Sequence, residues 1–548
     1  MKRDNDKHGL PKCAIDYIDE VVCRVRYRKK IRADVRVELV DHFEDALKDC
    51  KTDDDCCQTA EEVITEFGDP KMLAKLIRCG KKRCRPMWKK VLIRTFQVFL
   101  CLIAFVVFRG LTLTIGKPTI SVDYVQWLNE FVRDGRDESQ NAYSNYVKAI
   151  ELMPKEMPEI LKESIPLLPE NMTAEDEKII VEFLKANEPA LKKLTIGAQK
   201  SYCWTSYACG EQKPALELIT KQNTMYDKLM PDMMASGVLE ELMPNLGKYK
   251  RLAMRLGLRC SWQKKQGDYT GALNDAVTIY RLGGQMSGQG LLIEQLVGIA
   301  VNAMGSQQVW WVLRDGEFSA EELKALQSQL EISGWQEQAP INFDAEKVFM
   351  YDEIQRGFTD DGKGNGRVLK RGLLHVISDY KSALKGVFLF DFPDRRQVLA
   401  EIEKLYDQFD EIVSKPPLEA AEYEVEISES APLMLRTQVG VSEKTREISW
   451  RLITDRAALF TTVSILRYEK ETGAYPESLE ILVDGGYLSQ VPADPFSGGA
   501  LVYKKADDGF MLYSVGLNMI DDGGGNAKGR WRKEEKDAVF WPMNSSDQ

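Results

Sequence analysis

One apolar stretch, residues 91–116, constrains this chain more than any other part of its sequence. Residues 91–108 contain a single charged side chain, Arg94, and Arg109 follows directly. A helix that crosses a bilayer needs roughly 17–25 mostly apolar residues. Arg94 and Arg109 lie near the two ends of that frame, from which long side chains reach the lipid headgroups. The stretch therefore predicts a transmembrane helix; the alternative is a buried core helix.

The residues before this stretch predict its orientation. Trp88 suits the headgroup zone, and positive charge marks the cytoplasmic side of a span. Six basic residues make up most of the segment 81–90: Lys81, Lys82, Arg83, Arg85, Lys89 and Lys90. We therefore expect residues 1–80 inside, 81–90 as a basic juxtamembrane linker, 91–116 in contact with membrane lipid, and residues 117–548 outside.

Charge and cysteine differ between the two sides of the span. Residues 1–94 carry 23 basic and 18 acidic residues, whereas the remainder carries 51 and 66. Such asymmetry suggests two environments. Free thiols are tolerated best in a reducing compartment, and seven of the eleven cysteines precede residue 90: Cys13, Cys23, Cys50, Cys56, Cys57, Cys79 and Cys84.

The overall composition excludes several classes of function. A net charge of −10 argues against a nucleic-acid partner. The three histidines, His8, His42 and His375, exclude a histidine-rich metal centre and leave little material for a Ser/His/Asp enzyme. We therefore predict a protein that is not an enzyme. A hydrolase of cell-surface polymers stays open as a third hypothesis, because sequence cannot show whether two carboxylates converge.

The first 80 residues predict a small helical bundle. Val35, Leu39 and Phe43 repeat every four residues, which is typical of one helix face. Thr59 and Glu62 have the spacing of a capping box, which predicts that a helix begins there. Asp69 and Pro70 suit the N-cap and first position of the following helix.

These residues carry a resemblance to a known family. The segments 17–21, 37–47 and 60–70, the last ending in Phe-Gly-Asp-Pro, together with Leu73 and Ala74, resemble the HAAS domain. That domain precedes transmembrane segments in many bacterial membrane proteins, including ones tied to signalling. The resemblance implies a cytoplasmic helical adaptor at the inner membrane, with signalling or envelope proteins as partners.

Residues 119–413 predict an extracytoplasmic helical domain, because apolar stripes at helical spacing alternate with polar turns. Cys203 and Cys209 lie six positions apart and can close a small disulfide loop if the compartment is oxidising; unpaired core cysteines are the alternative. Residues 414–440, rich in Pro and Glu, predict a linker.

Residues 441–548 predict an α+β domain, so the fold class is mainly α with one small sheet. Apolar positions from Ile448 to Leu466 indicate a long helix. The segments 501–503 and 510–513 indicate two strands joined by a turn at Asp508-Gly509, and 537–541 indicates a third. The expected arrangement is a long helix on a small antiparallel sheet.

This C-terminal part resembles the globular domain of the type II secretion major pseudopilin. The resemblance rests on these segments and residues: 475–483, 486–488, 491–496, Tyr503, 512–516, 521–524 and Asp537. In that family a calcium ion pins the final loop, and Asp537 matches one of its ligands. Asn518 stands where the family has an Asp, and Asp521 and Asp522 can add oxygen atoms. A solvated Asp-Gly turn without calcium is the alternative.

The chain also departs from the pseudopilin pattern. A pseudopilin begins with an apolar helix that stacks into a filament, whereas the corresponding helix here carries charged residues that include Lys444, Arg446, Arg451, Asp455 and Arg456. We therefore expect a membrane-anchored envelope protein that binds or senses through its outer domains and relays to its cytoplasmic head. The alternative is an envelope or secretion-associated scaffold, and the oligomeric state is open.

Overall fold

The protein is represented by a computed structural model that is mainly helical, with one small three-stranded antiparallel sheet, as the sequence predicts. It divides into two compact units, residues 1–108 and 109–548. The structure describes residues 9–83, 87–154, 156–161, 168, 172–204, 206–207, 239–287, 290–331, 341–389, 391–428, 431–525, 530–531 and 536–542.

The first unit contains a bundle of four helices. They are α1 (Lys12–Arg24), α2 (Lys29–Ala46), α3 (Asp53–Phe67) and α4 (Pro70–Arg83). Their apolar faces meet in one core that includes Tyr17, Val35, Leu39 and Phe43. The predicted bundle is thus present, and its core uses the residues that repeat every four positions.

The turn between α3 and α4 follows the Phe-Gly-Asp-Pro sequence. Gly68 ends α3 with φ +72°, a backbone conformation that favours glycine. Its carbonyl accepts a 2.9 Å hydrogen bond from the Tyr17 hydroxyl, and the Phe67 ring stacks on Tyr17 at 6.3 Å. The Asp69 carboxylate accepts a bond from the backbone N–H of Lys71, which caps α4.

The predicted start of α3 at Thr59 is wrong. The helix begins six residues earlier, at Asp53, with the Thr52 hydroxyl accepting a bond from the backbone N–H of Asp55. Three aspartates fill this first turn, where the helix dipole favours negative charge. A threonine and a glutamate three positions apart also share a face in the middle of a helix, so the spacing alone could not locate the N-terminus.

A 28-residue helix, α5 (Met87–Thr114), follows the bundle. Its segment Val91–Thr114 has a mean hydropathy of 2.4, and none of its apolar window is buried within the protein. A soluble core helix with this composition would be covered by other elements, because exposed apolar surface costs free energy in water. Helix α5 is therefore long and apolar enough to cross a membrane.

The second unit continues with helices connected by turns and short 3₁₀ segments. The helices are α6 (Tyr124–Arg133), α7 (Tyr143–Leu152), α8 (Ala174–Ala198), α9 (Leu239–Lys265), α10 (Tyr269–Met286), α11 (Leu292–Asp315), α12 (Ala320–Glu331), α13 (Asp344–Gly357), α14 (Tyr380–Leu389), α15 (Arg395–Val413), α16 (Leu433–Thr472) and α17 (Leu479–Asp484). Helix α16 begins at Leu433, inside the segment 414–440 that the sequence predicts as a linker.

Helices α10 and α11 approach each other closely. A Cβ atom on Gly283 would lie 2.2 Å from the backbone nitrogen of Asn302, and one on Gly305 would lie 2.3 Å from that of Tyr280. Glycine at these positions lets the two backbones touch. The pair therefore forms a dense centre for the second unit.

The sheet contains β1 (Val502–Ala506), β2 (Gly509–Ser514) and β3 (Ala538–Trp541) in the order β1-β2-β3. All three predicted strands and the Asp508-Gly509 hairpin turn are confirmed. Val502 pairs with Tyr513, and Ser514 with Ala538, across the two antiparallel ladders. Helix α16 packs on β2 and β3, so the expected long helix on a small sheet is present.

One core joins this sheet to the helices before it. Phe540 of β3 is fully buried and stacks on the buried Trp310 of α11, with ring centroids 6.1 Å apart. The same core contains Leu326 of α12 and Val463 of α16. The predicted domains 119–413 and 441–548 thus share one interior, because α16 buries one side on the helices and the other on the sheet.

Candidate functional site

A cleft of about 690 Å³ opens beside helix α6 in the second unit. Its walls come from three places: α6, the segment around residues 204–207, and α13. Polar, charged and aromatic side chains share the lining, including Asp123, Asn129, Arg133, Trp204, Tyr207 and Arg356. Small-molecule sites have volumes of roughly 300–1,000 Å³ and combine apolar walls with a few placed polar groups, so this cleft has the size of a ligand site.

Two reciprocal hydrogen bonds fix one wall of the cleft. The Asn129 amide donates to the Tyr207 carbonyl at 2.8 Å and accepts from the Tyr207 backbone N–H at 2.6 Å. These two bonds hold Tyr207 against α6. Asp123 caps α6 by accepting from the backbone N–H of Gln126 at 2.9 Å, so the rim of the cleft is also ordered.

Two glutamates lie behind Tyr207, at the N-terminus of α11. The Tyr207 hydroxyl donates to the Glu294 carboxylate, which also accepts from the backbone N–H of Leu291 at 2.9 Å. Glu346 of α13 accepts from the backbone N–H of Leu292 at 3.3 Å. Backbone N–H groups at a helix N-terminus have no partner in the helix, so they suit carboxylates.

Burial shifts the proton affinity of this group. It raises the pKa of Glu294 above its usual value, although the bonds from Tyr207 and Leu291 favour the charged form. Burial also raises the pKa of Glu346, and the nearby charge of Glu294 raises it further. The pKa of the Tyr207 phenol is raised for the same two reasons, burial first. The two carboxyl groups therefore stay protonated to a higher pH than free glutamates do.

The Tyr207 side chain separates the cleft from the two glutamates. Tyr207 lines the cleft and its hydroxyl points to Glu294, so the tyrosine lies between the cleft and that carboxylate. A glycosidase needs two carboxyl groups on opposite sides of the bond to be cleaved. Here both glutamates are engaged by the backbone of α11 instead.

The four residues predicted to bind calcium lie on the connection between β2 and β3. Asp537 accepts from the backbone N–H groups of Asp522 at 3.1 Å and Gly524 at 2.6 Å. The Asn518 amide donates to Asp522 at 2.9 Å, and Asp521 accepts from the Tyr513 hydroxyl at 2.9 Å. The residues therefore belong to one loop, and their side chains already bond within it.

This arrangement does not supply a ready set of metal ligands. Among the residues that the structure describes, no three His, Cys, Asp or Glu side chains converge as a bound ion requires. A cation would need Asp521 and Asp522 to turn towards Asp537, whose carboxylate now binds loop N–H groups. Calcium binding stays a prediction from the sequence.

The predicted disulfide involves Cys203 and Cys209. Cys209 lies outside the described residues, so the pairing stays a prediction. Cys203 is partly buried against the core formed by α7, α8 and α9. Burial, together with the charge of Glu294, raises the pKa of its thiol to about 12. A thiol with this pKa is a poor nucleophile at neutral pH.

The sequence analysis missed Asn129, Tyr207, Glu294 and Glu346. Only Glu294 left a local signal, because it stands three residues after Leu291 at the start of a helix. The other contacts join positions 54 or more residues apart, beyond the reach of a spacing argument. Comparisons with protein-family models, with curated proteins and with solved structures find no match.

Proposed function

We propose that this chain is a single-pass anchored protein of the bacterial inner membrane that binds or senses a ligand outside and is not an enzyme. Helix α5 carries the proposal: Val91–Thr114 is long and apolar, and none of its apolar window is buried within the protein. The basic segment 81–90 favours a cytoplasmic N-terminus, which leaves residues 117–548 outside. The HAAS-like head supports a relay to cytoplasmic partners.

The cleft beside α6 is the proposed binding site. Its volume fits a small ligand, and Arg133, Asp123 and Trp204 all contribute to its lining. Both signs of charge and an aromatic side chain suit a polar molecule with an apolar face. Arg133 is exposed, so replacing it with alanine should leave the fold intact. An Arg133→Ala variant therefore tests ligand binding in the cleft without unfolding the protein. Arg436→Ala, an exposed position on α16, is the matched control.

Two fusions test the anchoring and the orientation. Alkaline phosphatase fused after residue 548 should be active, because this enzyme matures outside the cytoplasm, and a fluorescent protein at the same place should be dark. Fusions after residue 80 should give the opposite pattern. A protein that fractionates with the soluble material, or that gives the reverse pattern, would refute the proposal.

The alternatives differ in their partners. A scaffold, favoured by the pseudopilin-like sheet, should crosslink in the membrane to envelope or secretion components or to itself. A sensor should crosslink to cytoplasmic regulators through residues 1–90. A hydrolase would depend on Glu294 and Glu346, so polymer cleavage that is abolished in Glu294→Gln would favour that third reading.

A further inference from the structure

Helix α14 (Tyr380–Leu389) has one exposed face that combines apolar and basic side chains. Positions i, i+3, i+4 and i+7 of a helix share a face, and here they are Lys381, Leu384, Lys385 and Phe388. Leu384 and Phe388 are 51% and 40% exposed, and both lysines are exposed. On the opposite side, Gly386 is buried against the Phe392 ring. The helix thus has one packed face and one solvent-exposed face.

A buried arginine ties α14 to the last turn of the apolar helix. Arg109 is only 7% exposed, and its guanidinium donates to the Gly386 carbonyl at 2.9 Å. Arg367 donates to the carbonyls of Thr112 and Ile115, at 2.6 Å for the latter. The bond to Thr112 satisfies a carbonyl group that the end of α5 leaves without a helical partner. Within the second unit, α14 is therefore held at the level of residues 109–115.

That level can be placed relative to the bilayer. An α-helix rises 1.5 Å per residue and a bilayer core is about 30 Å thick, so about twenty residues cross it. Counted from Val91, the crossing ends near residue 110. Arg109 and the Gly386 carbonyl that it binds then lie at the outer edge of the hydrocarbon. The exposed face of α14, at the outer edge of the hydrocarbon, would then contact lipid headgroups.

We propose that α14 is an interfacial helix whose exposed face rests on the outer leaflet of the membrane that α5 crosses. Leu384 and Phe388 insert among the upper acyl chains, while Lys381 and Lys385 extend to anionic headgroups. The inference rests on the proposed transmembrane role of α5. It assigns the second unit a contact with lipid that is separate from the span itself.

Photocrosslinking to lipid tests the contact. The full-length protein, with benzoylphenylalanine at 384 or 388, is reconstituted in nanodiscs of phosphatidylethanolamine and phosphatidylglycerol that contain an acyl chain tagged for detection. Position 99 in the span is the positive control. Position 520, which is 62% exposed in the β2–β3 connection, is the matched apolar control. Leu433, at the start of α16, donates its backbone N–H to the Ile377 carbonyl just before α14. The β2–β3 connection meets α16 through Trp531 and Asp455, about 33 Å along the helix from Leu433.

We expect about tenfold more lipid adduct at 384 and 388 than at 520. Labelling at 99 without labelling at 384 and 388 would overturn the interfacial role and leave the span intact. No labelling at 99 would overturn the proposed span. Adducts with a second copy of the protein, in place of lipid, would also overturn the inference.

A charge reversal gives a second readout on the same helix. Lys381→Glu with Lys385→Glu should lower the adduct at 388 several-fold in discs with anionic lipid and change it little in neutral discs, because both side chains are exposed. An equal yield in both kinds of disc would mean that the lysines do not contact headgroups. The melting temperature of the variant checks that it is folded.

Discussion

The guanidinium of Arg456 donates to the amide oxygen of Asn302 at 3.0 Å, inside the second unit. Both side chains are buried, and the bond joins α16 to α11 across the boundary that the sequence suggests between two domains. The Arg456 guanidinium also lies over the Tyr280 ring of α10, 5.7 Å from its centroid. Three helices therefore meet at one buried charge.

Replacing Arg456 by Met should destabilise the second unit by about 2–4 kcal/mol, because it removes a donor from the buried Asn302 oxygen. Urea unfolding of the detergent-solubilised protein measures the change. The control is Arg436→Met, an exposed position on the same helix. Equal stability of the two variants would contradict the buried role of Arg456.

The close contact between α10 and α11 makes a glycine substitution costly. Gly305→Ala places a Cβ atom 2.3 Å from the Tyr280 backbone nitrogen, which cannot move without displacing a helix. We expect a loss of about 3 kcal/mol in unfolding free energy. Gly440→Ala in α16 has open space around it and should gain about 0.5–1 kcal/mol. The same sign for both would disprove the contact.

Asp537→Asn should loosen the β2–β3 connection, because one carboxylate oxygen that accepts a loop N–H becomes a donor. The expected loss is about 1–3 kcal/mol. A calcium titration of the melting temperature decides the metal question in the same experiment. A rise in the wild type that disappears in Asp537→Asn would support the calcium prediction. If the melting temperature of the wild type responds to neither calcium nor chelator, the role of Asp537 is to accept hydrogen bonds from the loop.

The raised pKa of Glu346 predicts a pH dependence. A carboxyl whose pKa is higher in the folded protein binds more protons there than in the unfolded chain. Its contribution to folding stability therefore falls as the pH rises above the usual pKa of a glutamate. Glu346→Gln should therefore stabilise the protein at neutral pH, by on the order of 1 kcal/mol, and have little effect near pH 4. Glu182→Gln, at an exposed position of α8, should show no such difference.

The lowered pKa of His375 predicts the opposite dependence of folding stability on pH. Burial, with the charge of Arg371, lowers the pKa of His375 to about 4. Below pH 6.5 the histidine therefore binds a proton in the unfolded chain before it does so in the folded protein. Stability should fall by up to about 3 kcal/mol as pH drops from 6.5 to 4. His375→Gln should remove this part of the loss. Identical pH profiles of variant and wild type, measured by chemical denaturation, would contradict the assignment.

Local patterns predicted the elements of this fold well. The apolar run of α5, the Asp508-Gly509 hairpin and the Phe-Gly-Asp-Pro turn each depend on neighbours in sequence. The interior that joins Trp310 to Phe540 could not be predicted, because periodicity shows that a face is apolar and not which face it meets. For the same reason the contact of Asn129 with Tyr207 left no signal.

The stack of Phe540 on Trp310 has a consequence for how the protein is made. Helix α11 is synthesised more than 200 residues before the strand that completes its core. Until that strand appears, Trp310 lacks the cover that Phe540 provides, and such long-range contacts form slowly. The second unit must therefore stay incompletely folded until almost the whole chain has been synthesised. During that time the exposed apolar faces of these helices make aggregation the main hazard of its synthesis.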